Sequence, residues 1–219
     1  MYVLGLDIST SCTGIAILHH SGELQQLNYV DLTKCKSYWE KVDLFRAEMK
    51  KIIDLIDAPV EKIFIEESLQ RFRSGMSSAK TLSALTKFNG VASFIAREIT
   101  GIEPDYFNVN TARKAVSLSV KRGENAKEKV QEWVDTQIQF DWPTKILKSG
   151  PRKGTEIKIK ACEDMADAYL IAAAGIKIVN LDTAICESDI YVFLVAHDEF
   201  KDLKVKTNLD FCGVLPKLE

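Results

Sequence analysis

The chain has 219 residues, 46% of them hydrophobic, with 29 Lys+Arg against 31 Asp+Glu and a formal net charge of -2. That length and apolar fraction suit one globular domain with a sizeable core plus an extension, and they exclude a disordered or collagen-like chain. The longest nearly uninterrupted apolar run, Ala168 to Ile176, is about half the roughly 20 residues a bilayer crossing needs, so no membrane span is expected.

The first residues, Met-Tyr-Val-Leu-Gly-Leu-Asp, lack the charged n-region and small-residue cleavage site of a secretory signal. Cys12, Cys35, Cys162, Cys186 and Cys212 are odd in number and widely spaced, which suits reduced thiols in a cytoplasmic compartment better than a disulfide framework or a zinc site. The near-neutral total conceals an uneven distribution. Residues 1–67 carry 7 basic and 11 acidic side chains, 111–160 carry 12 and 6, and 161–219 carry 5 and 11. Between Ser68 and Arg97 there are five Lys/Arg and no acid. The middle of the chain is therefore a basic block between acidic ends, an electrostatic footprint suited to phosphates.

In chain order, residues 2–8 predict a buried strand ending on an acid, followed by a turn over Ser9–Gly14, a second strand from Ile15, and a third near Leu24–Asp31. Apolar residues from Trp39 to Ile56 recur at helical spacing up to Pro59. Lys62–Glu66 predicts a short strand, again ending in acid. A helix follows near Ala79–Ile99, where Ala84, Gly90, Ala92 and Ala96 are expected to permit close packing. Pro104–Val109 predicts a strand, Thr111–Leu118 and Ala126–Phe140 short helices, Gly150–Gly154 an exposed hairpin tip, and residues 161–178 an alanine-rich helix. Tyr191–Ala196 is strand-like and lies in the extension. This order predicts an α/β fold: a mixed five-stranded sheet, three antiparallel strands then parallel ones, flanked by helices. The expected division is a core over 1–178, with a basic insertion at about 139–160, and an extension over 179–219 packed on the core.

Four acids stand out. Asp7 ends the first strand and Glu66 the fourth, both in apolar runs where an unpaired charge is expensive to bury. Asp164 and Asp167 lie three apart and share a helix face. Singly, each has an ordinary use: Asp7 as a turn cap, Glu66 as a lysine's partner, Asp164 and Asp167 as a solvated helix start. If the two strands are neighbours and the helix crosses their ends, the four converge into a hard-oxygen site suited to Mg²⁺ or Mn²⁺. Two such ions about 4 Å apart would clamp the attacking and leaving oxygens of a phosphodiester.

Leu4-Gly5-Leu6-Asp7 with Thr13-Gly14, Ile65-Glu66 with Phe72 downstream, Ala126–Gln131, and Asp164–Ala168 resemble, in order and spacing over roughly residues 1–178, the successive motifs of RuvC-type Holliday junction resolvases. The resemblance implies a ribonuclease H-like fold, a homodimer, two divalent ions per site, and paired nicking of four-way junctions or other branched DNA. By position, Asp7, Glu66, Asp164 and Asp167 would bind metal, and Lys114 and Lys127 would sit at the phosphate-contacting site. Phe72, flanked by Arg71 and Arg73, falls where the family presents an aromatic residue to junction bases; the other use for Phe72 is in the core. Lys80, Arg113, Lys121, Arg122, Arg152 and Lys153 complete the candidate DNA contacts.

Departures from the family pattern, among them a tail after about Val179 that has no counterpart in the compact cellular enzymes, suit a divergent member such as one from a phage or other virus. Ile8-Ser9 replace the usual Pro-Gly after the first aspartate. Glu67 follows Glu66 directly; alternation places it on the other sheet face, so Glu66 is the expected ligand and Glu67 the fallback. The insertion, with Lys145, Lys148, Arg152, Lys153, Lys158 and Lys160, is expected to form a DNA-contacting hairpin, with a solvated loop as the alternative. Two rival functions remain. Gly5–Gly14 also looks like the first phosphate loop of actin-like ATPases and sugar kinases, although no second Gly-rich loop appears. A non-catalytic DNA-binding module on the same fold is the other, although concentrated acids do not help a pure binder.

Overall fold

Short apolar runs separated by turns make the start of the chain a β-meander in the computed structural model: β1 (Tyr2–Ile8), β2 (Cys12–His19) and β3 (Leu24–Asp31) pair antiparallel. After helix α1 (Tyr38–Asp54), strand β4 (Val60–Glu66) returns parallel to β1. Helix α2 (Ala79–Thr100) then leads to β5 (Pro104–Phe107), parallel to β4, and the sheet order is β3-β2-β1-β4-β5. Next come α3 (Val109–Ala115), α4 (Ala126–Gln137), a hairpin of β6 (Thr144–Ile146) and β7 (Glu156–Lys158), and the long helix α5 (Ala161–Glu187). The structure describes residues 1–67, 79–187, 191–193 and 208–210. This is the expected α/β fold, a mixed five-stranded sheet with three antiparallel strands and then parallel ones.

Period-two alternation divides the sheet's side chains between two helical layers. Leu4, Leu6, Ile8, Ile15, Ile17, Ile63 and Ile65 face α1 and α2, meeting Phe45, Met49, Phe88, Ala92 and Ile95 in a closed core. On the opposite face, α5 lies directly on the strands. A Cβ on Gly5 would fall inside the carbonyl of Ala168, one on Gly14 inside that of Asp164, and one on Gly175 inside the Phe64 ring. Two glycines in adjacent strands and one in the helix thus let α5 approach to backbone contact.

Several element ends and packing roles differ from those predicted. Strand β5 stops at Phe107 because Asn108 caps α3, its Oδ1 accepting from the Asn110 N–H at 2.9 Å. Helix α4 stops at Gln137, where Ile138 turns extended (φ -134, ψ 147). Helix α5 runs on to Glu187, since no proline interrupts it and Gly175 is held against Phe64. Gly90 and Ala84 do not mediate close packing. Both are exposed, and open space surrounds Gly90. Trp39, at the edge of the α1 stripe, is 68% exposed and rests edge-to-face on Tyr38.

The chain divides into two compact units, Met1–Ile176 and Lys177–Glu219. In the second, β8 (Tyr191–Phe193) pairs parallel with β9 (Asn208–Asp210). Residues 194–196, the rest of the predicted strand, lie outside the described residues. No helix among the described residues is long and apolar enough to cross a membrane. Cys12, Cys35 and Cys162 are free thiols.

Candidate active site

The register of the sheet and the landing of α5 bring the four predicted acids together. Leu6 pairs with Ile65 and Asp7 with Gly14, so Asp7 and Glu66 end neighbouring parallel strands on the α5 face. Asp164 sits over Gly14 in the first turns of α5, and Asp167 follows one turn later. The turn after Asp7 closes without Pro-Gly. Ser9 Oγ donates to the Cys12 carbonyl at 2.6 Å and accepts the Cys12 N–H at 3.1 Å, while Lys41 Nζ holds the Thr10 carbonyl at 2.5 Å.

The electrostatics are those of a crowded anionic pocket. Burial, then the charges of Glu66, Asp167 and Asp164 and a side-chain hydrogen bond with Glu66, hold the Asp7 carboxyl well above the usual carboxylate range. Burial likewise raises Glu66, opposed by that hydrogen bond and by Arg113 and Lys127. Burial, then Glu66, pushes Asp167 up to about 7. Burial raises Asp164 as well, although a hydrogen bond from the Cys12 thiol and the charge of Lys127 work against it. The Cys12 thiol is itself pushed up by burial and by Asp164. Asp167 is 8% exposed, and its Oδ1 is buried with no hydrogen-bond partner.

Two cations border the acids. Helix α4, which buries Val130 and Val134, meets α5 at the Trp133–Tyr169 ring contact, and Lys127 Nζ lies 3.0 Å from Glu163 and 3.8 Å from Asp164. Burial opposes the Lys127 charge, but Glu163, Asp164 and Asp167 outweigh it and hold the ammonium above its ordinary value. From α3 it is Arg113 whose charge acts on Glu66 and Asp167, with its Nε buried and unpartnered. By sequence Arg113 is a candidate DNA contact only, and Lys127 and Lys114 are the candidates for the phosphate site. Lys114 is exposed on α3. The signal available beforehand was periodicity: Arg113 follows buried Ala112 on a helix capped by Asn108, and the inward edge falls on 113.

Glu67 donates its backbone N–H to the Phe107 carbonyl at 2.8 Å, and alternation carries its side chain to the sheet face opposite Glu66. Lys80, Lys121, Arg122, Arg152 and Lys153 are exposed, the first at the start of α2, the next two between α3 and α4, and the last two at the hairpin tip. Arg71, Phe72 and Arg73 lie outside the described residues.

The donor set fits a hard divalent cation. All four groups are carboxylates, each is held toward its neutral form by burial and crowding, and one buried oxygen has no partner. As the side chains stand, no three acidic, histidine or cysteine groups among the described residues close around one point. Holding an ion therefore requires the acids to turn inward and to ionise.

No protein-family model and no curated protein matches the sequence. Solved structures do. Thermus thermophilus RuvC in complex with a Holliday junction substrate is similar at 16% identity and a TM-score of 0.56, covering 84% of this chain and 98% of that one. A second Thermus thermophilus RuvC structure is similar at 21% identity and a TM-score of 0.53, with the same coverage. The yeast mitochondrial Holliday junction resolvase Ydc2 aligns at 17% identity with a TM-score of 0.47 over 80% of this chain and 77% of that one. With β3-β2-β1-β4-β5 order and α5 laid over the acid-bearing strand ends, the chain has the RuvC-type, ribonuclease H-like fold.

Proposed function

We propose that this protein is a metal-dependent, structure-selective endonuclease that resolves four-way junctions or other branched DNA by paired nicking as a homodimer in the cytoplasm. The observation that carries this reading is the meeting of Asp7, Glu66, Asp164 and Asp167 at one end of the sheet, bordered by Lys127 and Arg113. Such a pocket repels a phosphodiester until cations enter it, so its arrangement makes sense as a cation-loaded phosphate site. Further support comes from similarity to a RuvC solved with a Holliday junction substrate.

Two divalent ions, Mg²⁺ or Mn²⁺, would supply Lewis-acid stabilisation of the attacking and leaving oxygens. Asp7, Glu66, Asp164 and Asp167 would hold them. Lys127 and Arg113 offset negative charge developing on the phosphoryl oxygens from fixed positions, which removes the need to reorganise solvent during the reaction. Gly14 and Gly5 keep the two halves of the acid set in register by fixing α5 on the sheet. The expected products are nicks with 5′-phosphate and 3′-hydroxyl ends.

Cleavage of matched four-way junction, Y-fork, flap and RNA–DNA hybrid substrates in Mg²⁺ tests the reading and sorts the substrates. Asp7→Asn is expected to abolish cleavage while junction binding persists. Unchanged cleavage by that variant would remove Asp7 from the site. Clear Mg-ATP binding without DNA cleavage would replace the nuclease with the actin-like ATPase or sugar-kinase reading.

A further inference from the structure

The insertion between α4 and α5 is a constructed arm. Strands β6 and β7 pair in register from Thr144↔Lys158 to Ile146↔Glu156. The ladder continues through Leu147 N–H to Thr155 O at 3.0 Å and Gly154 N–H to Leu147 O at 2.8 Å, and Gly150 and Gly154 take the positive φ values (81 and 87) that close the tip. A two-stranded ribbon this short is marginal by itself. Its base is therefore tied down: Trp142, 8% exposed, donates from Nε1 to Asp135 Oδ1 at 2.7 Å; Lys158 bridges to Asp135 at 2.9 Å and lies 4.7 Å over the Trp142 ring; and Cys162 Sγ donates to the Pro143 carbonyl.

The charge on the arm is one-sided. From Leu147 to Thr155 the tip carries Lys148, Arg152 and Lys153 and no acid, and Lys145 stands on β6. All four are exposed, and among the described residues none has an acidic partner. Ordered backbone has been spent on presenting unneutralised cations, and an anionic polymer is the partner that gains from them. The position is specific too: β7 enters α5 within three residues, and Asp164 lies in the first turn of that helix. Five residues from base to tip at about 3.3 Å each give a reach of roughly 16 Å, the rise of about five base pairs. A two-stranded β-ribbon is also an element that the DNA major groove admits.

We propose that the β6–β7 hairpin is a DNA-clamping arm whose tip, Lys148, Arg152 and Lys153, engages duplex phosphates several base pairs from the scissile one. The choice of DNA as the polymer rests on the endonuclease reading above. The test measures the affinity of the full-length protein for a four-way junction in EDTA across a salt series. Lys148→Ala/Arg152→Ala/Lys153→Ala is expected to lower the slope of log affinity against log salt by about 2–3, at roughly 0.9 per lost phosphate contact. The charge-preserving Lys148→Arg/Arg152→Lys/Lys153→Arg variant should keep the wild-type slope, as should Lys50→Ala/Lys51→Ala on α1. An unchanged slope in the triple alanine variant, or an equal fall in the α1 control, overturns the arm. The same preparations assayed for cleavage in Mg²⁺ separate the two ideas. A tip-dependent slope without cleavage sinks the nuclease and leaves the arm, whereas cleavage with a tip-independent slope does the reverse.

Discussion

Asp167→Asn isolates the energetic cost of crowding these acids together. The group has its carboxyl pushed up to about 7, from an ordinary 3.8, chiefly by burial and by Glu66, and its Oδ1 has no partner. A folded-state pKa raised above the unfolded value means that the native protein binds the extra proton. The contribution to stability is full below about pH 4 and is lost as pH rises toward 7. The rise from 3.8 to about 7 puts the penalty in metal-free protein at pH 8 at ~4 kcal/mol as an upper figure. Asparagine keeps the shape and omits the charge, so in EDTA at pH 8 the variant should be more stable, by on the order of 10 °C in Tm. At pH 5 the wild-type group is neutral when folded, and the gain should shrink to under about 2 kcal/mol. Added Mg²⁺ should stabilise the wild type by about 2.7 kcal/mol at a hundredfold excess over its Kd, seen as a higher Tm, and stabilise the variant less. Cleavage should disappear in the variant. A variant less stable than wild type in EDTA at pH 8, or a difference independent of pH, would refute the electrostatic account of the pocket.

Other outcomes follow from the same geometry. Gly14→Ala drives a methyl group into the Asp164 carbonyl, backbone against backbone, and should cost at least about 3 kcal/mol in urea unfolding together with activity. Gly90→Ala, mid-helix and facing open space, should instead stabilise by about 0.5–1 kcal/mol. Opposite signs for these two substitutions would check the role assigned to the glycines; equal effects would contradict it. Lys127→Met removes the ammonium 3.0 Å from Glu163 and 3.8 Å from Asp164. Single-turnover cleavage should fall by about 10²-fold with junction affinity changed far less, and a loss confined to affinity would make Lys127 a binding residue only.

The sequence carried the strand-and-helix order because that order rests on local patterns: the short apolar run of residues 2–8, helical recurrence from Val42 to Ile52, and the glycines of the hairpin tip. It also picked out the four acids, since a carboxylate at the end of an apolar strand stands out without any coordinates. Other features depend on contacts across the chain. Arg113 and Lys114 are neighbours in one basic run, and only the rotation of α3 against the sheet turns 113 toward Glu66 and Asp167. Gly90 and Gly14 look alike as small residues, yet one faces open space and the other the backbone of α5. The electrostatic coupling of Asp7 to Glu66 requires the parallel pairing of β1 with β4, strands separated in sequence by β2, β3 and α1. Composition and spacing by themselves determined which residues could hold a cation and which could meet a phosphate. Tertiary packing decided which of them share one pocket, because the direct approach of α5 through Gly5 and Gly14 sets four repelling charges side by side.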